Sequence, residues 1–155
     1  MAETTFLGDV AELMAAAELV SRGYVVSRPL TNGAPYDLLV DVGGSIQKVQ
    51  IKKTGVTVNG STRIMLSSSK SHRGRKSVLY FGRVDCVLAV DCDQRTFYVV
   101  SGDDLKSPQI SIRTTPAKNR QTSGIRFSVD YGIDSLFPVV GRQSLVGDES
   151  FELPT

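Results

Sequence analysis

Asp37, Gln50 and Lys52 lie on two short segments that one hairpin can bring together. Residues 36–42 (YDLLVDV) and 46–54 (IQKVQIKKT) both read as strands, and Gly43-Gly44 between them is a two-residue hairpin signal. With those glycines as the loop, Val42 faces Ser45, Asp41 faces Ile46, and Asp37 falls opposite Gln50. Directly opposed residues project on one face with Cβ atoms ~5 Å apart. The strand period of two puts Lys52 on that face as well, and the same alternation favours it over Lys53. A carboxylate, an amide oxygen and an ammonium in one patch suit phosphodiester hydrolysis. A hard divalent cation such as Mg²⁺ takes oxygen ligands, and Asp37, the Gln50 side chain and the Ile51 backbone carbonyl can each supply one. Such an ion polarises a phosphoryl oxygen and acidifies water. Lys52 would orient that water or stabilise developing negative charge.

Other elements must hold this hairpin in place. Residues 8–22 (GDVAELMAAAELVSR) read as a helix stopped by Gly23. At ~100° per residue, Glu18 and Arg22 mark its solvent side as an i,i+4 pair, while Glu12 falls among Leu13, Ala16 and Leu19. An acid in an apolar arc needs a partner, which a metal or Lys52 would provide; a rotated helix would leave Glu12 solvated instead. Strands are expected at 24–27, 63–66, 84–90, 96–100 and 109–113. The almost continuously apolar 84–90 segment (VDCVLAV) should be buried on both faces. Ser101 opens SGDDL, a capped helical turn. Residues 28–35 form a loop, and 125–140 carry no clear pattern. One domain over 1–140, followed by a tail or arm at 141–155, is the organisation expected.

The three stretches GDVAELMAAAELVSRGY, APYDLLVDVGG and KVQIKKT together resemble the PD-(D/E)XK nuclease superfamily, and YFGRVDCVLAVD with TFYVV extends the likeness over most of 8–105. Within it, the pattern is similar to archaeal-type Holliday junction resolvases and to the cyanobacterial group I intron homing endonuclease. The resemblance implies a restriction-endonuclease-like α/β core, a mixed central β-sheet flanked by helices. It also implies Mg²⁺-dependent hydrolysis of DNA, with Mn²⁺ as a substitute. Asp37, Gln50 and Lys52 match the motif positions and Glu12 the helix carboxylate, so these four are the implied catalytic residues and Asp37, Gln50 and Ile51 the implied metal ligands. Gln50 stands where the usual motif has Asp or Glu; the intron enzyme is the variant with glutamine there. Sequence-specific homing-type cleavage is therefore the first expectation. A structure-specific junction resolvase is the near alternative, and a catalytically silent DNA-binding module, with Gln50 marking a lost site, is the alternative from another class.

Composition limits the remaining readings. Of 155 residues, 18 are Lys or Arg and 16 Asp or Glu, for a net charge of +2, so the chain is no strongly cationic scaffold. Its 41% hydrophobic and 22% charged residues exclude global disorder. Two cysteines, Cys86 and Cys92, exclude a disulfide framework, and with no neighbouring His they form no zinc motif. No apolar run approaches the ~18–20 residues of a membrane span, and the first residues lack a signal-peptide pattern, so a cytoplasmic, reducing setting is expected. Positive charge is instead local. Arg63, Lys70, Arg73, Arg75, Lys76 and Arg83 occur with no acid among them, and Arg113, Lys118, Arg120 and Arg126 form a sparser group. Beside a nuclease site these are candidate DNA contacts; taken alone, such a run is a solvated loop. His72 within it lacks an orienting partner, and Tyr80 and Phe81 read as core or sheet residues. A domain this small facing a symmetric duplex or junction should work as a homodimer or tetramer.

Overall fold

The computed structural model describes residues 3–68, 77–119 and 121–141. It opens with helix α1 (Glu3–Ser21), which begins earlier than its Ala- and Leu-rich stretch alone implies. Gly23, at φ 97°, closes the helix in a left-handed conformation. Its N–H bonds the Val20 carbonyl and the Tyr24 N–H reaches Leu19, the paired bonds of a glycine C-terminal cap. Nine strands follow among the described residues: β1 (Val25–Ser27), β2 (Leu38–Val42), β3 (Ser45–Lys53), β4 (Ser61–Met65), β5 (Ser67–Ser68), β6 (Val78–Leu79), β7 (Cys86–Asp91), β8 (Thr96–Ser101) and β9 (Gln109–Arg113).

Five strands form the central sheet in the order β1-β2-β3-β7-β8. It is mixed, because β3 and β7 run parallel while the other neighbours are antiparallel. The β2–β3 hairpin has the register that a Gly43-Gly44 loop dictates: Val42 opposes Ser45, Asp41 opposes Ile46 and Leu38 opposes Val49. Both glycines sit at positive φ, 60° and 88°, as a primed two-residue turn requires.

The alternating faces of β7 define two cores. Cys86, Leu88 and Val90 pack with Ala11, Ala15 and Leu19 of α1, whereas Val87 and Ala89 pack with Ile64, Leu66, Ile110 and Ile112. Burial in the first core pushes the Cys86 thiol up to about 12, so it is an inert packing group. The second core is roofed by β4 and β9, paired as a two-stranded antiparallel ribbon. Among the described residues α1 is the one α-helix, so a helix covers one face of the sheet and a ribbon the other. Buried Ala11, Ala15 and Leu19 are spaced four apart, and Leu13 is 63% exposed. The apolar arc is thus narrower than expected, and Glu12 lies on its flank rather than among Leu13 and Leu19.

Three further expectations are corrected. SGDDL becomes a 3₁₀ turn (Gly102–Lys106) with no side-chain cap, since Ser101 still belongs to β8. Phe81 is 45% exposed with the Lys106 ammonium 5.2 Å from its ring centre, so it is no core residue. Arg22 does pair with Glu18 at 2.8 Å, but it is largely buried, because its guanidinium also donates to Asp134 at 2.6 Å and to the Phe137 carbonyl at 2.8 Å. Those bonds tie the segment around 134–137, whose sequence carries no clear pattern, to the end of α1. There Phe137 is fully buried and meets the Tyr24 ring edge-on at 5.6 Å.

Candidate active site

Asp37 immediately precedes β2 and continues its pairing, with its N–H bonded to the Val49 carbonyl at 2.9 Å. One carboxylate oxygen, Oδ2, accepts from the Ile51 N–H at 2.8 Å and from the Gln50 Nε2 at 2.6 Å. The structure therefore places Asp37 and Gln50 side by side, at the end of the hairpin remote from its turn. Val49 and Ile51 point into the core under α1, so Gln50 and Lys52 point to the ribbon side of the sheet. The Lys52 ammonium lies 5.2 Å from the centre of the buried Tyr80 ring, which supports it from below. Lys53 contributes to a separate pocket with Asp91 and Cys92, away from Asp37.

Glu12 approaches Asp37 from α1. Its Oε2 accepts from Arg28 Nη2 at 3.0 Å. Glu12, Arg28, Asn32, Tyr36 and Asp37 line one open pocket of about 190 Å³. Arg28 is the partner that Glu12 needed, and spacing along the chain did not reveal it. The signal lies in pairing: Ser27 opposes Leu39, so a residue just past β1 arrives beside the start of β2, where Asp37 stands. That register follows a ten-residue connection, 28–37, too long to fix it locally.

The carboxyls are electrostatically uncomfortable. Burial raises the Asp37 pKa above its ordinary value; the Ile51 N–H, Lys52 and Arg28 oppose that rise. Burial likewise raises Glu12, helped by the negative charge of Asp37 and opposed by Arg28. Two partly desolvated carboxyls, one of which raises the other, are a site short of positive charge. The donor set fits a hard cation. Gln50 Nε2, the positive end of an amide, lies between Asp37 Oδ2 at 2.6 Å and the Ile51 carbonyl at 3.2 Å. Turning that carboxamide over directs its oxygen toward the same two oxygens, which only a cation between them would stabilise. Among the described residues no three His, Cys, Asp or Glu side chains converge to hold a metal, so the set depends on Gln50 and a backbone carbonyl.

Of the candidate DNA contacts, Arg63 projects outward from β4 and Arg83 is exposed in the turn before β7. Lys70, Arg73, Arg75 and Lys76, with His72, lie outside the described residues, as does Arg120. Arg113 and Arg126 have structural duties instead. Arg113 donates to the Asn59 and Thr115 carbonyls at 3.1 and 3.2 Å, and Arg126 pairs with Asp104 at 3.1 Å.

The five-stranded mixed sheet thus carries an aspartate just before β2, a lysine two residues past its cross-strand partner and a helix carboxylate nearby. A family model described as PD-(D/E)XK endonuclease matches residues 2–134, and the chain belongs to that family. Its fold is similar to that of a bacterial homing endonuclease, I-Ssp6803I. The two share 25% sequence identity at a TM-score of 0.70, over 84% of this chain and 89% of the other. A search of curated protein sequences found no match. No helix among the described residues is long and apolar enough to cross a membrane.

Proposed function

We propose that this endonuclease is Mg²⁺-dependent, hydrolyses phosphodiester bonds of duplex DNA, and cuts at a particular sequence in the manner of a homing enzyme. The observation that carries the reading is the joint placement of Asp37, Gln50 and the Ile51 carbonyl around one point, with Lys52 on the same face. Asp37, the turned Gln50 carboxamide and Ile51 would hold the ion, and Glu12 would support it from the helix. When bound, Mg²⁺ polarises a phosphoryl oxygen and lowers the pKa of water. Lys52 directs the attacking water and offsets charge on the phosphorus oxygens. Water adds to phosphorus, one P–O bond breaks, and a phosphate monoester and a hydroxyl remain. Arg28 opposes the rise that burial imposes on the Glu12 pKa and leaves most of its own side chain exposed toward an incoming phosphate. Family membership and the likeness to a homing endonuclease support the choice of DNA and of sequence-specific cutting. A dimer or tetramer would supply the second strand's cut.

Supercoiled plasmid with Mg²⁺ tests the enzyme: the wild type should nick or linearise it and Lys52→Ala should not. Equal cutting by both, or none by either, would leave only a silent DNA-binding module. Offering a four-way junction beside a linear duplex of the same sequence separates the two nuclease modes. Junction-selective cutting regardless of sequence would make this a resolvase.

A further inference from the structure

The β4–β9 ribbon is an outer layer of the protein whose exposed face has no role in the chemistry above. We propose that this face enters the major groove of duplex DNA and reads base edges, with Arg63, Met65, Gln109 and Ser111 as the specificity-determining side chains. The proposal rests on the endonuclease reading, and it names which part of the fold selects the sequence.

Alternation sets the surface. Thr62, Ile64, Ile110 and Ile112 are buried against the sheet, so Arg63, Met65, Gln109 and Ser111 face away from it. Register pairs them across the ribbon, Arg63 with Ser111 and Met65 with Gln109, into one compact patch. Among the described residues, none of these four side chains makes a hydrogen bond or ion pair. Ribbon geometry suits the groove. Two strands ~4.8 Å apart, with side chains, fit a groove ~12 Å wide, and five residue pairs at ~3.3 Å each span about five base pairs. The chemistry is that of base readout: Arg pairs with guanine, Gln with adenine, Ser with either, and an apolar side chain meets the thymine methyl. The tip is rigid, because Arg113 bonds the Asn59 and Thr115 carbonyls across the end of the ribbon.

Charge selects the occupant. Residues 42–84 contain nine Lys and Arg, and 105–129 contain five, of 18 in the chain, and neither stretch holds an Asp or Glu. The ribbon strands themselves carry Arg63 and Arg113 and no Asp or Glu, so the surface that carries the readers repels polycations and attracts a polyanion. Gln50 and Lys52 point to the side of the sheet on which the ribbon packs, so the cleavage site and the ribbon lie on the same side of the sheet.

The full-length chain, in EDTA so that binding is read without cleavage, is mixed with linear duplexes randomised in their central segment, and the bound fraction is sequenced. The wild type should enrich a motif with a contiguous block of about five base pairs. Gln109→Ala should flatten the preference at one position by about tenfold, and Gln109→Arg should convert that position toward guanine. Gln109 is exposed, so both variants should keep the wild-type thermal midpoint; Ser111→Ala serves if either does not. An unchanged motif in every variant, no motif for the wild type, or no binding would each overturn the proposal. Plasmid nicking with Mg²⁺ by the wild type, run in parallel, reads the endonuclease activity separately. Nicking with an unchanged motif overturns the ribbon readout alone; a shifted motif without nicking keeps the readout and removes the enzyme.

Discussion

The two faces of the central sheet are built from the same alternating strands and serve different ends. Under α1 the buried core is apolar: Ala11 and Ala15 let the helix approach closely, Leu19 follows one turn on, and Phe137 plugs the end. On the ribbon side the apolar layer is interrupted. Gln50 and Lys52 emerge there, and the covering ribbon turns a polar, cationic surface outward. A fold this small separates its duties by face, because a strand offers its neighbours only two directions. The helix face can be optimised for packing. The ribbon face must keep ionisable groups partly dehydrated, a condition that reduces stability and sharpens electrostatics.

The comparison breaks most visibly at Phe137. Phe137→Ala should lower unfolding free energy by about 3–5 kcal/mol in urea titration, much of a small domain's total, with little change in the pH profile of whatever nicking the folded fraction retains. A small loss would show that the C-terminal segment is only an appendage. On the other face, Asp37→Asn should slow nicking on the order of 10²–10³-fold without a matching loss of stability. Asp37 has a raised pKa in the fold, so ionising it weakens folding. That contribution favours the fold below the ordinary value of 3.8 and fades as pH rises through the folded pKa. At neutral pH the asparagine variant, which still offers an oxygen to the Ile51 N–H, should therefore melt no lower than wild type. Scanning calorimetry at pH 7 checks this, and a sharp drop would make Asp37 a structural residue.

Smaller effects sharpen the contrast. Mg²⁺ or Mn²⁺ at about ten times its dissociation constant should raise the wild-type melting temperature by a few degrees and leave Asp37→Asn unmoved. An equal rise in both would place the ion elsewhere. Finally, the acid limb of the nicking profile should lie above the ordinary carboxylate range, because burial raises both Glu12 and Asp37. Arg28→Ala removes a cation that lowers both, so it should move that limb to higher pH. A limb that stays in place would mean the guanidinium serves only to close the pocket.

Much of this arrangement was legible in the residues themselves. Hairpin register followed from Gly43-Gly44 because a two-residue loop leaves no freedom, and once register is set the strand period aligns Asp37, Gln50 and Lys52. The double burial of β7 was visible because its residues 86–90 are all apolar. Tertiary structure alone decided the rest. It chose which flank of α1 Glu12 occupies, since alanine-rich helices show little contrast around their circumference. It brought Arg28 to Glu12 through a long loop, and drew 134–140 onto the helix end through Arg22. It also roofed the second core with strands 44 residues apart in sequence, Met65 against Gln109. Local geometry is written in neighbouring residues, whereas contacts closed by long loops depend on the free energy of the whole packed chain.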